Sequence, residues 1–341
     1  MSKALTSKSI GQFLLDNAIT IVLLLLVAVF VYNDPSFLSL VNLTNILSQA
    51  STNVIIALGV AGLIVTQGTD LSAGRMVGLS AVVAASLLQS PDNVSRMYQE
   101  LPGILANQYI IVALIVACII TACLGFLNGF VIAKLKVTPF ITTLGTMIIV
   151  YGVNSLYYDL AGASPIAGFD PRFSSFTQGF FKLGTFKLSY LVIYAAIATA
   201  FIWVLWNKTK FGKNIFAIGG NPEAAKVSGV NVTVNLILIY MLSGVFYAFG
   251  GMLEAGRIGS ATNNLGFMYE LDAIAACVVG GVSFSGGVGT VLGVITGVII
   301  FTVINYGMTY IGVNPYWQFI IKGAIIIMAV ALDSLKYAKK K

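Results

Sequence analysis

The run "AIAACVVGGVSFSGGVGTVLGVITGVIIFTVINYGMTYIGVNPYWQFII", Ala273–Ile321, contains no charged side chain. A helix needs about 20 apolar residues to cross hydrocarbon. The run is therefore too long for one crossing, and "GGVSFSGGVGT" (Gly280–Thr290) interrupts it. It reads as a short segment, a break and then a span at Val291–Ile311. A further span at Tyr316–Leu332 follows, carrying Lys322. A chain built from such units is a polytopic, all-α membrane protein.

The remaining sequence agrees. Of 341 residues, 58% are hydrophobic and 9% charged, against about 25% charged in soluble domains. Upstream spans are expected at Asn17–Tyr32, Thr44–Thr66, Leu71–Leu88, Gln108–Ala133, Thr138–Tyr157, Leu188–Trp206 and Val232–Leu253. With the short eighth segment the count is about ten, all within one transmembrane domain over 1–341, and both termini share a side. The first run lacks a cleavage-like exit and reads as a retained span.

Lys and Arg orient such a chain. One set of loops holds Lys3, Lys8, Arg75, Lys134, Lys136, Lys208, Lys210, Lys213, Lys226, Lys336, Lys339, Lys340 and Lys341. The other holds Arg96, Arg172, Lys182, Lys187 and Arg257. The richer set faces the cytoplasm, which places both termini and the loop 207–231 there. The net charge of +7 is thereby a topology signal and does not indicate a nucleic-acid partner.

Cys118, Cys123 and Cys277 sit in apolar runs and read as small buried hydrophobes. Histidine is absent, and no metal set is expected. "GGVSFSGGVG" has no Gly-Lys-Ser/Thr after it, and "FGKN" (Phe211–Asn214) is no phosphate loop either. The Gly-rich break reads as close helix packing. With no nucleotide site and no nucleophile–base pair, the chain reads as non-catalytic.

Polar groups at membrane depth are functional candidates. Asp70 and Arg75 bracket "DLSAGR", read either as a broken helix lining a path or as a tight cytoplasmic turn. Gln67, Asn128 and Asn305, with Gln49, Asn53, Thr66 and Asn154, suit either a path for a hydroxyl-rich solute or ordinary interhelical hydrogen bonds. Glu254, Arg257, Glu270 and Asp272 fall at the outer ends of two spans, as loop charges open to a partner. "LSAGRMVGLSA" (Leu71–Ala81) and "LEAGRIGSA" (Leu253–Ala261) share "AGR", a weak hint of a repeat.

One stretch stands apart: "GGNPEAAKVSGVNV", Gly219–Val232. Asn221 is a good N-cap, Pro222 fits the first helical position and Glu223 complements the positive helix end. Ala224, Ala225, Lys226 and Val227 propagate, and Gly229 stops the helix. Such a short helix is marginal alone, so something must hold it.

"EAAKVSG" fits the EAA…G pattern of ATP-binding-cassette importer permeases, although no I-x-L-P tail follows Gly229. "TQGTDLSAGRMVGLSAVVAA" (Thr66–Ala85), "TPFITTLGTM" (Thr138–Met147), "GKNIFAIGGNPEAAKVSGVNV" (Gly212–Val232) and "ELDAIAACVVGGVSFSGGVGTVLG" (Glu270–Gly293) lie around it. With these blocks, essentially the whole chain resembles the bacterial monosaccharide permease family that serves ribose, xylose and galactose. The resemblance implies a multi-pass protein of the bacterial inner membrane, surrounded by lipid and acting as a homodimer. It implies a cytoplasmic ATPase with two nucleotide domains, which carries the ATP and Mg, and a periplasmic galactose/glucose-binding protein outside. It makes 221–230 the coupling helix. An ion-coupled secondary sugar transporter and a membrane scaffold or channel are the alternatives.

Overall fold

The structure is a computed structural model that describes residues 18–99, 109–160, 162–184 and 186–338. Lys3, Lys8, Lys339, Lys340 and Lys341 of the topology argument lie outside the described residues.

The helices are α1 (Ala18–Asn33), α2 (Leu40–Val65), α3 (Ala73–Leu87), α4 (Ile110–Leu135), α5 (Pro139–Asp159), α6 (Pro171–Gln178) and α7 (Tyr190–Lys208). They continue as α8 (Lys210–Gly220), α9 (Pro222–Val227), α10 (Val232–Ile258), α11 (Tyr269–Val279), α12 (Val291–Tyr310) and α13 (Pro315–Ala338). Each expected span corresponds to one of them. Among the described residues, six (α2, α4, α5, α7, α10 and α12) are long and apolar enough for a full crossing. The expected outward loop 159–187 holds α6 and an antiparallel hairpin of β2 (Phe180–Leu183) and β3 (Phe186–Ser189). Two-residue strands β1 (Ile166–Ala167) and β4 (Ser260–Ala261) pair on the same side.

Burial separates an inner from an outer set. In its most apolar stretch α2 is 83% buried, whereas α4 and α5 are 22% and 17% buried. The outer helices turn Ile115, Ile119, Phe126, Ile148 and Ile149 outward, as helices facing lipid must. Cys277 is buried and Cys118 half-buried, but Cys123 is exposed on α4, so only part of the cysteine expectation holds.

Small residues let α10 serve as the central post. A Cβ on Gly125 of α4 would meet the backbone of Tyr240, and one on Gly244 of α10 would meet the backbone of Thr121. Gly251 lies equally close to Val77 of α3. Without a hydrophobic drive between helices in lipid, such backbone approach is a main source of association. Ser243 adds a bond from its hydroxyl to the Gly59 carbonyl at 2.8 Å.

The shortness of α3 and α11 has one cause. After Val65 the chain turns through Gln67 (φ 62°) and re-enters the bundle, where the Tyr240 hydroxyl donates to the Thr69 carbonyl at 3.2 Å. α3 then runs outward, and the Asp170 N–H bonds Leu88 O at 2.8 Å. After Gly259 the segment 260–268 dips inward from the outer side. Gly266 and Glu270 abut Gly74, and α11 continues toward the cytoplasmic end. Two half-crossing helices thus meet by their N-termini inside the bundle. The shared "AGR" falls in the first turn of α3 and the last turn of α10, so it does not mark equivalent positions of a repeat.

Arg75 is also corrected. It is not in a cytoplasmic loop but within α3, its guanidinium 4.3 Å from the Tyr151 ring centroid and 5.2 Å from that of Phe267. Without Arg75 the Lys/Arg bias between the two sides keeps its sign.

Candidate functional site

Three assemblies collect most of the singled-out residues. The first is the short helix α9, in the loop expected on the cytoplasmic side. The Asn221 side chain accepts from the N–H groups of Glu223 and Ala224, each at 3.0 Å. Gly229 has φ 84°, and the Val230 N–H returns to Ala225 O at 3.0 Å. This left-handed closure after the last turn is the reason for glycine there. Ala225 is the only residue of α9 to be buried; Pro222, Glu223, Ala224, Lys226 and Val227 are exposed, Val227 by 88%. The helix is thus a capped knob with an apolar tip, standing on α8 and α10.

Its mounting is rigid. A Cβ at Gly219 of α8 would collide with the Val65 carbonyl at the end of α2 and with the Gly287 backbone N. The Gly287 N–H donates to that carbonyl at 2.8 Å. Gln67 completes the clip: its amide donates to Gly219 O at 2.8 Å and to Ser285 O at 3.0 Å. Gln67 therefore joins the base of α9 to the break of Gly280–Thr290. Neither Gly219 nor Gly287 was singled out by sequence reasoning for this contact, because their partners are distant in sequence and the contacts are between backbones.

The second assembly is the interior turn at Asp70, which is 1% exposed. Its carboxylate accepts from Ser72 N at 2.9 Å and Ser72 Oγ at 2.5 Å. Asn128 donates to Ser72 Oγ at 3.1 Å, and Thr146 donates to Asn128 Oδ1 at 2.6 Å. Asp70 and Asn128 are thus members of one network linking α3, α4 and α5. At "DLSAGR" the chain breaks between α2 and α3 inside the bundle and does not form a tight cytoplasmic turn.

The third assembly holds the four acids and bases expected as outer loop charges, and here the expectation is corrected. Glu254 is 1% exposed and Glu270 8%. The Glu254 carboxylate accepts from Arg257 Nε (2.9 Å) and its terminal nitrogen (2.7 Å), Thr52 Oγ1 (2.7 Å) and Tyr269 OH (2.9 Å). It clasps α2, α10 and the start of α11. Asp272 accepts from Lys322 Nζ at 2.9 Å and Asn305 Nδ2 at 3.5 Å. Glu270 lies against Gly74 in the field of Arg75. A polar side chain survives at such depth when a partner desolvated with it compensates its charge; Glu254–Arg257 and Asp272–Lys322 supply that, whereas Glu270 Oε2 and Arg75 Nη1 are buried without a hydrogen-bond partner.

Outside the spans, Asp170 caps α6 and forms an ion pair with Arg172 at 2.9 Å. The Arg172 hydrogen bond holds the carboxyl below the ordinary carboxylate range.

Two neighbouring cavities lie on the outer half. One, of about 380 Å³, lies between α2, α11, α12 and α13 and is walled by Gln49, Asn53, Asp272, Asn305, Gln318 and Lys322 among others. The other, of about 560 Å³, opens between α2, β3 and α10, and shares Gln49 and Tyr306 with the first. Asn305 and Asp272 are thus brought together, while Gln67 and Asp70 stand apart from this cavity.

A family model described as branched-chain amino acid transport system / permease component matches residues 42–330. The chain is 73% identical over 338 residues to the galactose/methyl galactoside import permease of Escherichia coli strain K12, covering 99% of both chains. It is 69% identical to the protein of that name from Haemophilus influenzae, again over 99% of both. The ribose import permease of Bacillus subtilis is 38% identical, with 93% of this chain and 92% of that one covered. No solved structure matches the chain. The relatives are bacterial permeases and the helices are long enough to span a bilayer, so the chain is a multi-pass inner-membrane protein. With a family match reaching across nearly all its spans, the chain belongs to the permease components of this transport family.

Proposed function

We propose that the chain is the membrane subunit of an ATP-binding-cassette importer carrying galactose or methyl galactoside into the cytoplasm. The 73% identity along 99% of a galactose/methyl galactoside import permease is the observation that carries this reading. In it, a periplasmic galactose/glucose-binding protein delivers sugar, and a cytoplasmic ATPase with two nucleotide domains, holding ATP and Mg, drives the motion through Asn221–Gly229. The exposed, capped α9 with its apolar Val227 supports that role. Through Gly219 and Gln67, a displacement of α9 passes to α2 and to the 280–289 break. Each chain offers one α9, so a two-domain ATPase takes two permeases. A native mass with one permease per ATPase pair would overturn that part.

The test is reconstitution in liposomes with ATPase and binding protein, measuring ATP-dependent uptake of galactose, ribose and xylose. Gly229→Pro removes the N–H that bonds Lys226 O and forbids φ 84°. Glu223→Lys reverses the charge at the positive helix end. Each is expected to cut galactose uptake about tenfold or more, a coupling loss of about 1.4 kcal/mol, with the protein still in the membrane. Unchanged uptake in both variants removes the coupling role from α9. Uptake that collapses with an uncoupler and needs no ATPase favours the ion-coupled alternative.

A further inference from the structure

The cavity between α2, α11, α12 and α13 contains hydrogen-bonding capacity that the chain itself does not use. Asn305 Oδ1 is buried with no partner. Asp272 takes Lys322 and Asn305 on Oδ2 alone. Asn53 makes one long bond, from its amide to Thr302 Oγ1 at 3.4 Å. Unpaired polar atoms at this depth are costly unless something fills the space between them. The volume of about 380 Å³ lies within the range of small-molecule sites, roughly 300–1,000 Å³.

The charge at the walls selects the occupant. Asp272 and Lys322 neutralise one another at 2.9 Å, so an ion of either sign gains little net attraction. Amide and carboxylate oxygens, with the amide N–H groups, match a ring of hydroxyls that both donate and accept. Tyr306 and Phe301 line the same cavity, and aromatic rings suit the C–H side of a sugar ring. The outer groove shares Gln49 and Tyr306 with it and so borders it on the outer side.

We propose that this cavity binds one uncharged monosaccharide, with Gln49, Asn53, Asn305 and the free oxygen of Asp272 reading its hydroxyls. The permease then carries a sugar site of its own. The assignment rests on the sugar-import reading and adds where the sugar pauses within the membrane.

The test begins with purified wild-type permease in nanodiscs, without ATPase or binding protein. Saturable binding of radiolabelled galactose is expected, insensitive to sodium or chloride. Asn305→Leu and Gln49→Leu are each expected to weaken it about tenfold or more, with both variants eluting as the wild type does. No saturable binding up to roughly 100 mM galactose, or binding equal in both variants and wild type, overturns the proposal. In the complete importer, Asn305→Leu is expected to lower galactose uptake while ATP hydrolysis stimulated by the binding protein stays within about twofold. Normal uptake by Asn305→Leu removes the site and leaves the import reading standing. Absence of ATP-dependent uptake by the wild type removes the import reading itself.

Discussion

Glu254→Ala is expected to destabilise the folded bundle by about 3–5 kcal/mol, the cost of breaking a buried ion pair from one side. Its carboxylate accepts from two nitrogens of Arg257 and from the hydroxyls of Thr52 and Tyr269; Thr52 alone has a second acceptor, the Gln49 carbonyl. Removal strands a guanidinium whose side chain is only 27% exposed, together with the half-buried Tyr269 hydroxyl. The clasp between α2, α10 and α11 is lost at the same time. Unfolding in mixed micelles of graded denaturing detergent measures it. A double variant, Glu254→Met with Arg257→Met, leaves no charge behind and is expected to recover more than half of the loss. A single variant that loses less than about 1 kcal/mol, the scale of an exposed pair, shows that the clasp is not structural.

Gly219→Ala is expected to reduce transport about a hundredfold, the scale on which misplacing a working part by an ångström acts. The added methyl has no flexible neighbour to displace. It meets the Val65 carbonyl and the Gly287 nitrogen, both backbone, so α8 must shift and the Gln67–Gly219 bond must stretch. The internal control is adjacent. At Gly220 a Cβ meets nothing within 4 Å, and alanine there gains helix propensity worth up to about 1 kcal/mol. Gly220→Ala is therefore expected to transport at the wild-type level. Equal uptake by the two variants would show that the contact of α8 with α2 and the break carries no motion.

The spans were legible because hydropathy is local: Thr138–Tyr157 becomes Pro139–Asp159, and the apolar run from Val291 becomes Val291–Tyr310. The caps of α9 were legible for the same reason, since Asn221 and Gly229 act on their own neighbours. The end of the seventh span was not. Charge-free counting stops at Leu253, but the helix continues to Ile258 and carries Glu254 and Arg257 inward as a neutral pair. Asp272 likewise looks costly until Lys322, fifty residues on, is seen beside it. Gln67 looked like a residue of the path because its two acceptors, at Gly219 and Ser285, belong to segments that only the fold brings near. The sharing of Asn305 and Asp272 in one cavity was invisible for the same reason.

The meeting of α3 and α11 by their N-termini has a consequence for biosynthesis. A helix of 15 residues rises about 22 Å, short of the hydrocarbon thickness of about 30 Å, and its first N–H groups have no partners within it. Lipid offers none. The segment with which α3 packs inside the bundle, around Gly266 and Glu270, is translated long after α3 has left the ribosome. α3 must therefore wait beside the insertion machinery or in a shallow, hydrated position, and seat itself only when the later segment arrives. Maturation of this permease is accordingly a late, concerted step, and a chain truncated before Gly259 would be made and targeted yet never close around α3.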